Sequence, residues 1–417
     1  MRSLAMLAAA LLGGFGVAAA APPPLTIEEC VQRALDRAPS VQAAAAESAA
    51  AYAKVRAARA AYWPRLIGQA QYGHSEGYDK TITNGGVTQI GVAIEAPLLD
   101  GGKRAAELAG AQARLQSAGA QELQRRADVV FAVRTAYHTA IGARQERNIQ
   151  ADAVEGLERY LVLLRRQEAL GLVPVTDVPR AQLAVETART AERAADAALI
   201  AAAQELSHLV GSAIDPDALV APALHPIEPI NDAWVDASPV VADARASANA
   251  ARQDAESVRS EARSHLLLNA DAGFLGVNPR PTFENNGGGE FLVGFTLPLF
   301  DGGAMDARIA AAAAEVASAE AKVAEARETV LITLARTRAE AARARADATE
   351  WAQTVPSAAE NFLLLRARYF GGGDIRLLDV LDALNQSVEA RLEVVRAEQA
   401  AQLAAASEAQ LLGQIGP

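Results

Sequence analysis

The side chains best placed for chemistry are acids beside chain turns. Asp379 and Asp382 stand three apart and therefore share one helix face. The same spacing also suits first-turn residues, where the helix dipole favours negative charge. Asp177, preceded by Thr176, opens another predicted helix and can cap it. Gly171 and the run Gly371-Gly372-Gly373-Asp374 mark the turns ahead of these helices, because glycine ends helices well. No catalytic set accompanies these acids. His74, His138, His208, His225 and His265 are scattered and lack paired metal-ligand spacing. There is no Cys–His cluster, nucleophile elbow or phosphate-binding loop. The remaining acids read as solvated helix faces or as partners of Arg one turn away. The chain reads as a non-enzyme with no cofactor and no metal.

Bulk composition narrows the choice. A net charge of −11 argues against a nucleic-acid partner. Cys30 is the only cysteine, so no intrachain disulfide is expected, and it reads as a small buried residue. Arg2, the apolar stretch Leu4 to Val17 and Ala18-Ala19-Ala20 form an export signal over residues 1–20, with Ala21 as the new terminus. The stretch is too short to cross about 30 Å of hydrocarbon. Cys30 follows Ile27-Glu28-Glu29, which is no lipidation context. No later apolar run reaches the ~20 residues of a membrane-spanning helix.

The elements that position the acids occur twice. Pro97-Leu98-Leu99-Asp100-Gly101-Gly102 returns as Pro298-Leu299-Phe300-Asp301-Gly302-Gly303, and Asp177-Val178 returns as Asp379-Val380. This period is too long for a solenoid repeat. The division expected is a first repeat over 21–210, a Pro-rich extended linker over 211–239 and a second repeat over 240–417. Each repeat contains two strands, about 66–74 and 88–98 in the first, and 265–275 and 290–299 in the second. Ile90, Val92, Ile94 and Ala96 share one face; Gln89, Gly91, Ala93 and Glu95 share the other. Alternation over about ten residues is the pattern of a membrane barrel strand. Pro97 and Pro298 read as the change from strand to helix. Long helices follow, free of proline from Lys103 to about Leu170 and from Ala304 to Thr354, with Pro356 expected to mark a kink or junction. Helices returning from about Thr176 to Leu209 and Leu377 to Leu411 make each pair an antiparallel hairpin.

Four strands cannot close a barrel. In a bilayer each unsatisfied edge group costs several kcal/mol, so two open edges would cost tens, against a typical stability of about 5–15 kcal/mol. Two copies would give eight strands with a filled interior, and three would give twelve and a lumen. The physics favours three without excluding a larger ring.

With these motifs in order, the chain resembles the TolC family of outer-membrane export ducts. The resemblance is carried by Leu25 to Pro39, by Gly171-Leu172-Val173-Pro174-Val175-Thr176-Asp177-Val178, and by Gly373-Asp374-Ile375-Arg376-Leu377-Leu378-Asp379-Val380. It implies a mainly helical homotrimer in the outer membrane. Four strands per chain would contribute to a twelve-stranded barrel, and long helical hairpins to an α-barrel in the periplasm. It also implies a periplasmic adaptor and an inner-membrane pump of RND, ABC or MFS type as partners, with lipid around the barrel. Asp379 and Asp382 match positions whose carboxylates ring the periplasmic mouth, where they would attract cations and raise the pKa of some members. In the family a Tyr and an Arg tie the second hairpin to a Thr-Asp pair in the first. Thr176 and Asp177 match that pair; the partner positions hold Phe370 and Ile375, with Tyr369 and Arg376 one place off. The closing contact expected is Asp177 with Arg376. The hairpin tips, Gly171 and Gly371 to Asp374, would face the adaptor. The alternative class is a periplasmic coiled-coil tether, which has no use for lipid-facing rows such as Ile90-Val92-Ile94.

Overall fold

The computed structural model describes residues 25–74, 76–77, 86–221, 232–277, 287–372 and 374–415. The expected signal peptide, most of both strand-connecting turns, Pro222, Pro226, Pro229 and Gly373 lie outside them.

Runs rich in Ala, Glu, Arg and Leu form long helices because these residues lose little on adopting helical geometry. Eight helices occur among the described residues: α1 Ile27–Arg37, α2 Pro39–Ala60, α3 Lys103–Ala169, α4 Asp177–Val210, α5 Asp232–Ala237, α6 Pro239–Glu261, α7 Ala304–Phe370 and α8 Leu377–Leu411. Both α3 and α7 have 67 residues, about 100 Å each at 1.5 Å per residue. Helix α4 folds back on α3 and α8 on α7, while α2 and α6 extend the bundle along α3, and α6 also meets α7. The core is built largely of small residues, including Ala111, Ala113, Ala246, Ala250, Ala341 and Ala401. At Gly142 the absence of a side chain leaves room for the Gln399 amide of α8, whose Oε1 would lie 2.6 Å from a Cβ there.

Two expectations change. Of the kink or junction expected at Pro356, the junction is absent: α7 is one helix through it. Proline costs about 3 kcal/mol inside a helix, and packing on α8 on either side, Arg338 with Glu408 upstream and Phe362 and Leu365 against the Leu377–Val380 cluster downstream, offsets that local loss. The linker is not simply extended. It contains a 3-10 turn, Pro216–Ala218, and helix α5. Leu219 bridges Leu25, and Arg144 Nη1 donates to the carbonyls of Pro216 (2.8 Å) and Leu219 (3.0 Å). The Tyr137 hydroxyl accepts from Val220 N at 3.0 Å, and burial pushes this phenol up to about 12.

The four strands β1 Arg65–His74, β2 Gly86–Asp100, β3 His265–Val277 and β4 Gly287–Thr296 form one antiparallel sheet in chain order. Its register gathers the apolar rows. Leu66 opposes Ile94, Ile94 opposes Ala270, and Ala270 opposes Phe291. Opposed residues share a face, so Leu66, Tyr72, Ile90, Val92, Ile94, Phe274, Phe291, Val293 and Phe295 all lie on one side, and all are exposed in the single chain. The other face carries Gln69, Gln89, Glu95, Asn269, Asp271 and Thr296. Pro97 sits inside β2 rather than at its end, beside a register shift between Pro97 and Leu99. Strand β4 stops at Thr296, short of the expected 299, because nothing on its outer side extends the ladder.

Candidate functional site

The acids gather where the two helical hairpins turn. Helix α3 ends in a glycine-capped turn. Gly171 N donates to the Glu168 carbonyl (2.9 Å) and Leu172 N to that of Gln167 (2.9 Å), with Gly171 at φ +70°. In the second hairpin Gly372 is left-handed at φ +78°, whereas Gly371 has φ −80° and Asp374 is exposed.

Between the turns lies an apolar cluster of Leu157, Tyr160, Leu164, Val178, Leu377 and Val380. The Tyr369 and Phe370 rings pack against it from the end of α7, with Phe370 5.3 Å from the Tyr160 ring and 5.4 Å from that of Tyr369. Tyr369 Oη donates to Asp177 Oδ2 at 2.7 Å. Asp177 is only 4% exposed. Its other oxygen faces Thr176 Oγ1 (3.4 Å) and Arg180 Nη1 (3.6 Å). Burial first, then the Asp177 bond, raises the Tyr369 phenol above its ordinary range. Tyr160 is raised for the same leading reason, and its buried hydroxyl has no hydrogen-bond partner among the described residues.

Within the single chain Asp177 and Arg376 do not pair. Arg376 turns back to Asp379, donating from Nε (3.2 Å) and Nη2 (3.0 Å), while its backbone N–H also reaches Asp379 Oδ2 (3.2 Å). An acid three residues into the helix is simply closer than one on the other hairpin. The hydrogen bond from Arg376 holds the Asp379 carboxyl below its usual range. Within one chain this shift is opposite in direction to that of a bare carboxylate ring. Asp382 accepts from Gln386 Nε2 at 2.8 Å. It also borders a groove of about 750 Å³ between α4 and α8, floored by α3 and flanked by Arg180, Leu183, Leu378 and Leu381. Asp379 and Asp382 lie off the buried row Leu377, Val380 and Ala383.

The outer membrane efflux protein family matches residues 30–212 and 235–414. This chain belongs to that family. It is 24% identical to the outer membrane protein TolC of Escherichia coli over 381 residues, covering 86% of this chain and 76% of that one. It is 31% identical to the protein CyaE of Bordetella pertussis over 221 residues, half of this chain and 45% of that protein. The fold matches the crystal structure of a membrane protein from Pseudomonas aeruginosa with a TM-score of 0.83 at 23% identity, covering 94% and 93% of the two chains. An outer membrane efflux protein is a passive exit duct for efflux or secretion in a Gram-negative outer membrane, not an enzyme. The tether alternative falls with this membership.

Reading the residues alone missed Tyr160 and Arg180 at this efflux-protein tip. The available signal was compositional. Aromatics make up only 5% of the chain, yet Tyr160, Phe362, Tyr369 and Phe370 meet at one end.

Proposed function

We propose that three copies of this chain enclose a twelve-stranded barrel in the outer membrane and a helical tunnel beneath it, and that the hairpin ends form its periplasmic gate. The observation that carries this reading is the sheet. One face carries most of its aromatic and β-branched apolar side chains, the other most of its polar ones, and among the described residues both outer edges lack a strand partner. Lipid satisfies the first face and a wet bore the second, but only closure satisfies the edges. The bond from Tyr369 to Asp177 latches the end of α7 to the start of α4, holding the mouth narrow. Asp379 and Asp382 supply the carboxylates around that mouth. Residues 211–239 carry the chain from the first repeat to the second. A periplasmic adaptor meets the tips around Gly171 and Gly371 to Asp374, and an inner-membrane pump of RND, ABC or MFS type supplies the energy, in a tripartite efflux pump or a type I secretion system. Mass measurement in mild detergent together with planar-lipid recording tests the reading. A trimer with discrete ionic current is the expected result, and solitary subunits without current would overturn it.

A further inference from the structure

The two Asp-Gly-Gly junctions are built alike and surrounded unequally. At the first, Asp100 accepts from Gly102 N (3.1 Å), Arg104 N (3.0 Å) and Arg104 Nε (2.6 Å). Arg263, just ahead of β3, donates to the Gly101 carbonyl at 2.6 Å. A Cβ on Gly101 would lie 2.7 Å from both Arg263 Cβ and the Ser260 carbonyl. At the second, Asp301 accepts from Gly303 N (3.0 Å) and Met305 N (2.6 Å). Met305 stands in the place of Arg104 and brings no charge. Open space surrounds Gly302 where Gly101 is crowded, and Leu299 and Phe300 are 88% and 91% exposed. Strand β2 reaches Asp100 because its end pairs with β3, Leu99 opposite Leu266 and Asp100 opposite His265. Strand β4 stops earlier, at Thr296.

The registers show what is missing. Arg65 opposite Glu95 in the β1–β2 ladder corresponds to His265 opposite Thr296 in the β3–β4 ladder, and Leu66 opposite Ile94 corresponds to Leu266 opposite Phe295. Strand β3 therefore stands for β1, and β4 for β2. The remaining ladder, β2 with β3, has a counterpart that a single chain cannot make, namely β4 with the β1 of another copy.

We infer that the outer edge of β4 and the second Asp-Gly-Gly junction form the docking surface for β1 of a second copy, in the antiparallel register that sets Thr296 opposite Gln69, Phe300 opposite Leu66 and Asp301 opposite Arg65. The inference rests on the trimeric reading above and adds the register and the locking residues. Each pair is the transfer of an observed one: Glu95 with Asn269, Leu99 with Leu266, and Asp100 with His265. The faces agree independently. Val293 falls opposite Tyr72 and Phe295 opposite Ala70, so the apolar side continues across the seam as far as His74, which falls opposite Phe291, whereas a one-residue slip would turn one strand inside out. A two-residue slip keeps the faces but loses the junction. Only the stated register brings the Arg65 guanidinium, now 3.9 Å from Glu95, to the Asp301 carboxylate. It also brings Trp63, 75% exposed, over Gly302, as Arg263 covers Gly101.

Paired cysteines in the full chain, in a Cys30→Ala background and in outer-membrane vesicles, test this. The registered pairs are Thr296→Cys with Gln69→Cys and Leu297→Cys with Gly68→Cys. Neighbouring opposed pairs alternate between two spacings, so one of them has its Cβ atoms within disulfide reach. The displaced control is Thr296→Cys with Gln71→Cys. Mild oxidation gives about tenfold more covalent dimer and trimer from one registered pair than from the control, because cross-strand separation grows steeply off register. Cross-linking through the displaced pair, with trimer mass retained, overturns the register and leaves the trimeric reading standing. Monomers by mass in every variant sink both. A charge exchange gives a second readout. Asp301→Arg and Arg65→Asp each lower the temperature at which the trimer dissociates, and the double variant restores it. A double variant no better than the two singles combined overturns the Asp301–Arg65 contact.

Discussion

Asp177 is the first residue of α4 and Asp379 the third of α8, in corresponding first turns of the two repeats, and each is followed by Val. Asp177 is buried and receives a phenol from the other hairpin. Asp379 is partly exposed and is satisfied by Arg376 in its own turn. The local sequence around the acid does not decide this difference. What decides it is the end of the opposing long helix. Helix α7 ends in Tyr369-Phe370, whereas α3 ends near Gln167 and Glu168, which bring no phenol. A duplicated turn thus makes a hydrogen bond between hairpins in one copy and a self-contained ion pair in the other.

Removing the buried acid should break this contrast most. Asp177→Ala deletes a charged acceptor and leaves the Tyr369 hydroxyl without its partner beside the already unpartnered Tyr160. A hydrogen bond to a charged group contributes about 1.5–3 kcal/mol, so the closed state weakens at least about tenfold. Open probability in planar lipid and antibiotic leakage should rise accordingly, and wild-type behaviour in both would reject the latch. Tyr369→Phe is milder. The ring keeps its packing on Phe370 and Tyr160, and Thr176 and Arg180 still face the carboxylate. The increase therefore falls at the low end of the same range, about 1.5 kcal/mol or roughly tenfold. Equal conductance traces for Tyr369→Phe and wild type would mean that the contact holds nothing shut.

Arg376→Ala should move selectivity more than gating. The guanidinium is 78% exposed, and exposed ion pairs contribute little to stability. Its loss leaves Asp379 as an unpaired carboxylate, so the reversal potential in a salt gradient shifts toward cations. The pH dependence follows from the same pair. Asp379 is held below its usual range by Arg376, so the stabilisation it gives is complete above the unfolded carboxylate range, near 4. It is lost as pH falls through the lower folded value. Wild-type selectivity should stay flat down to about pH 4, while that of Arg376→Ala starts to change at higher pH. Identical pH profiles would show that Arg376 does not set the charge at this site.

Much of this was readable from residues alone, for physical reasons. Helix α3 was expected from Lys103 to about Leu170 and ends at Ala169, and α8 was expected and found over Leu377 to Leu411. Proline-free runs bounded by glycine leave little choice. The strand faces were readable because a period of two survives any register. The end of β4 was not, since a strand's last residues depend on what pairs with them, and one chain lacks that partner. The partner of Asp177 was not readable either. The family resemblance pointed to Arg376, but the choice between Arg376 and Tyr369 depends on where α7 ends in space. Motif position alone pointed to Phe370, whose ring instead fills the cluster against Tyr160.

The smallest expected effect is the most discriminating about what the second repeat's acids do. Asp382 is exposed and accepts from the Gln386 amide at 2.8 Å. Asn at 382 can still accept that bond, so Asp382→Asn removes charge with the helix and the latch left intact. Open probability should not change. If three copies bring Asp382 to one mouth, three charges vanish together, and the reversal potential moves slightly away from cations, by less than the opposite shift in Arg376→Ala. The two shifts should oppose and largely cancel in the double variant, because both act on one local potential that falls off over a Debye length of about 8–10 Å. Shifts of the same sign, or a change in gating from Asp382→Asn, would place Asp382 outside the mouth and leave Asp379 as the acid that sets its charge.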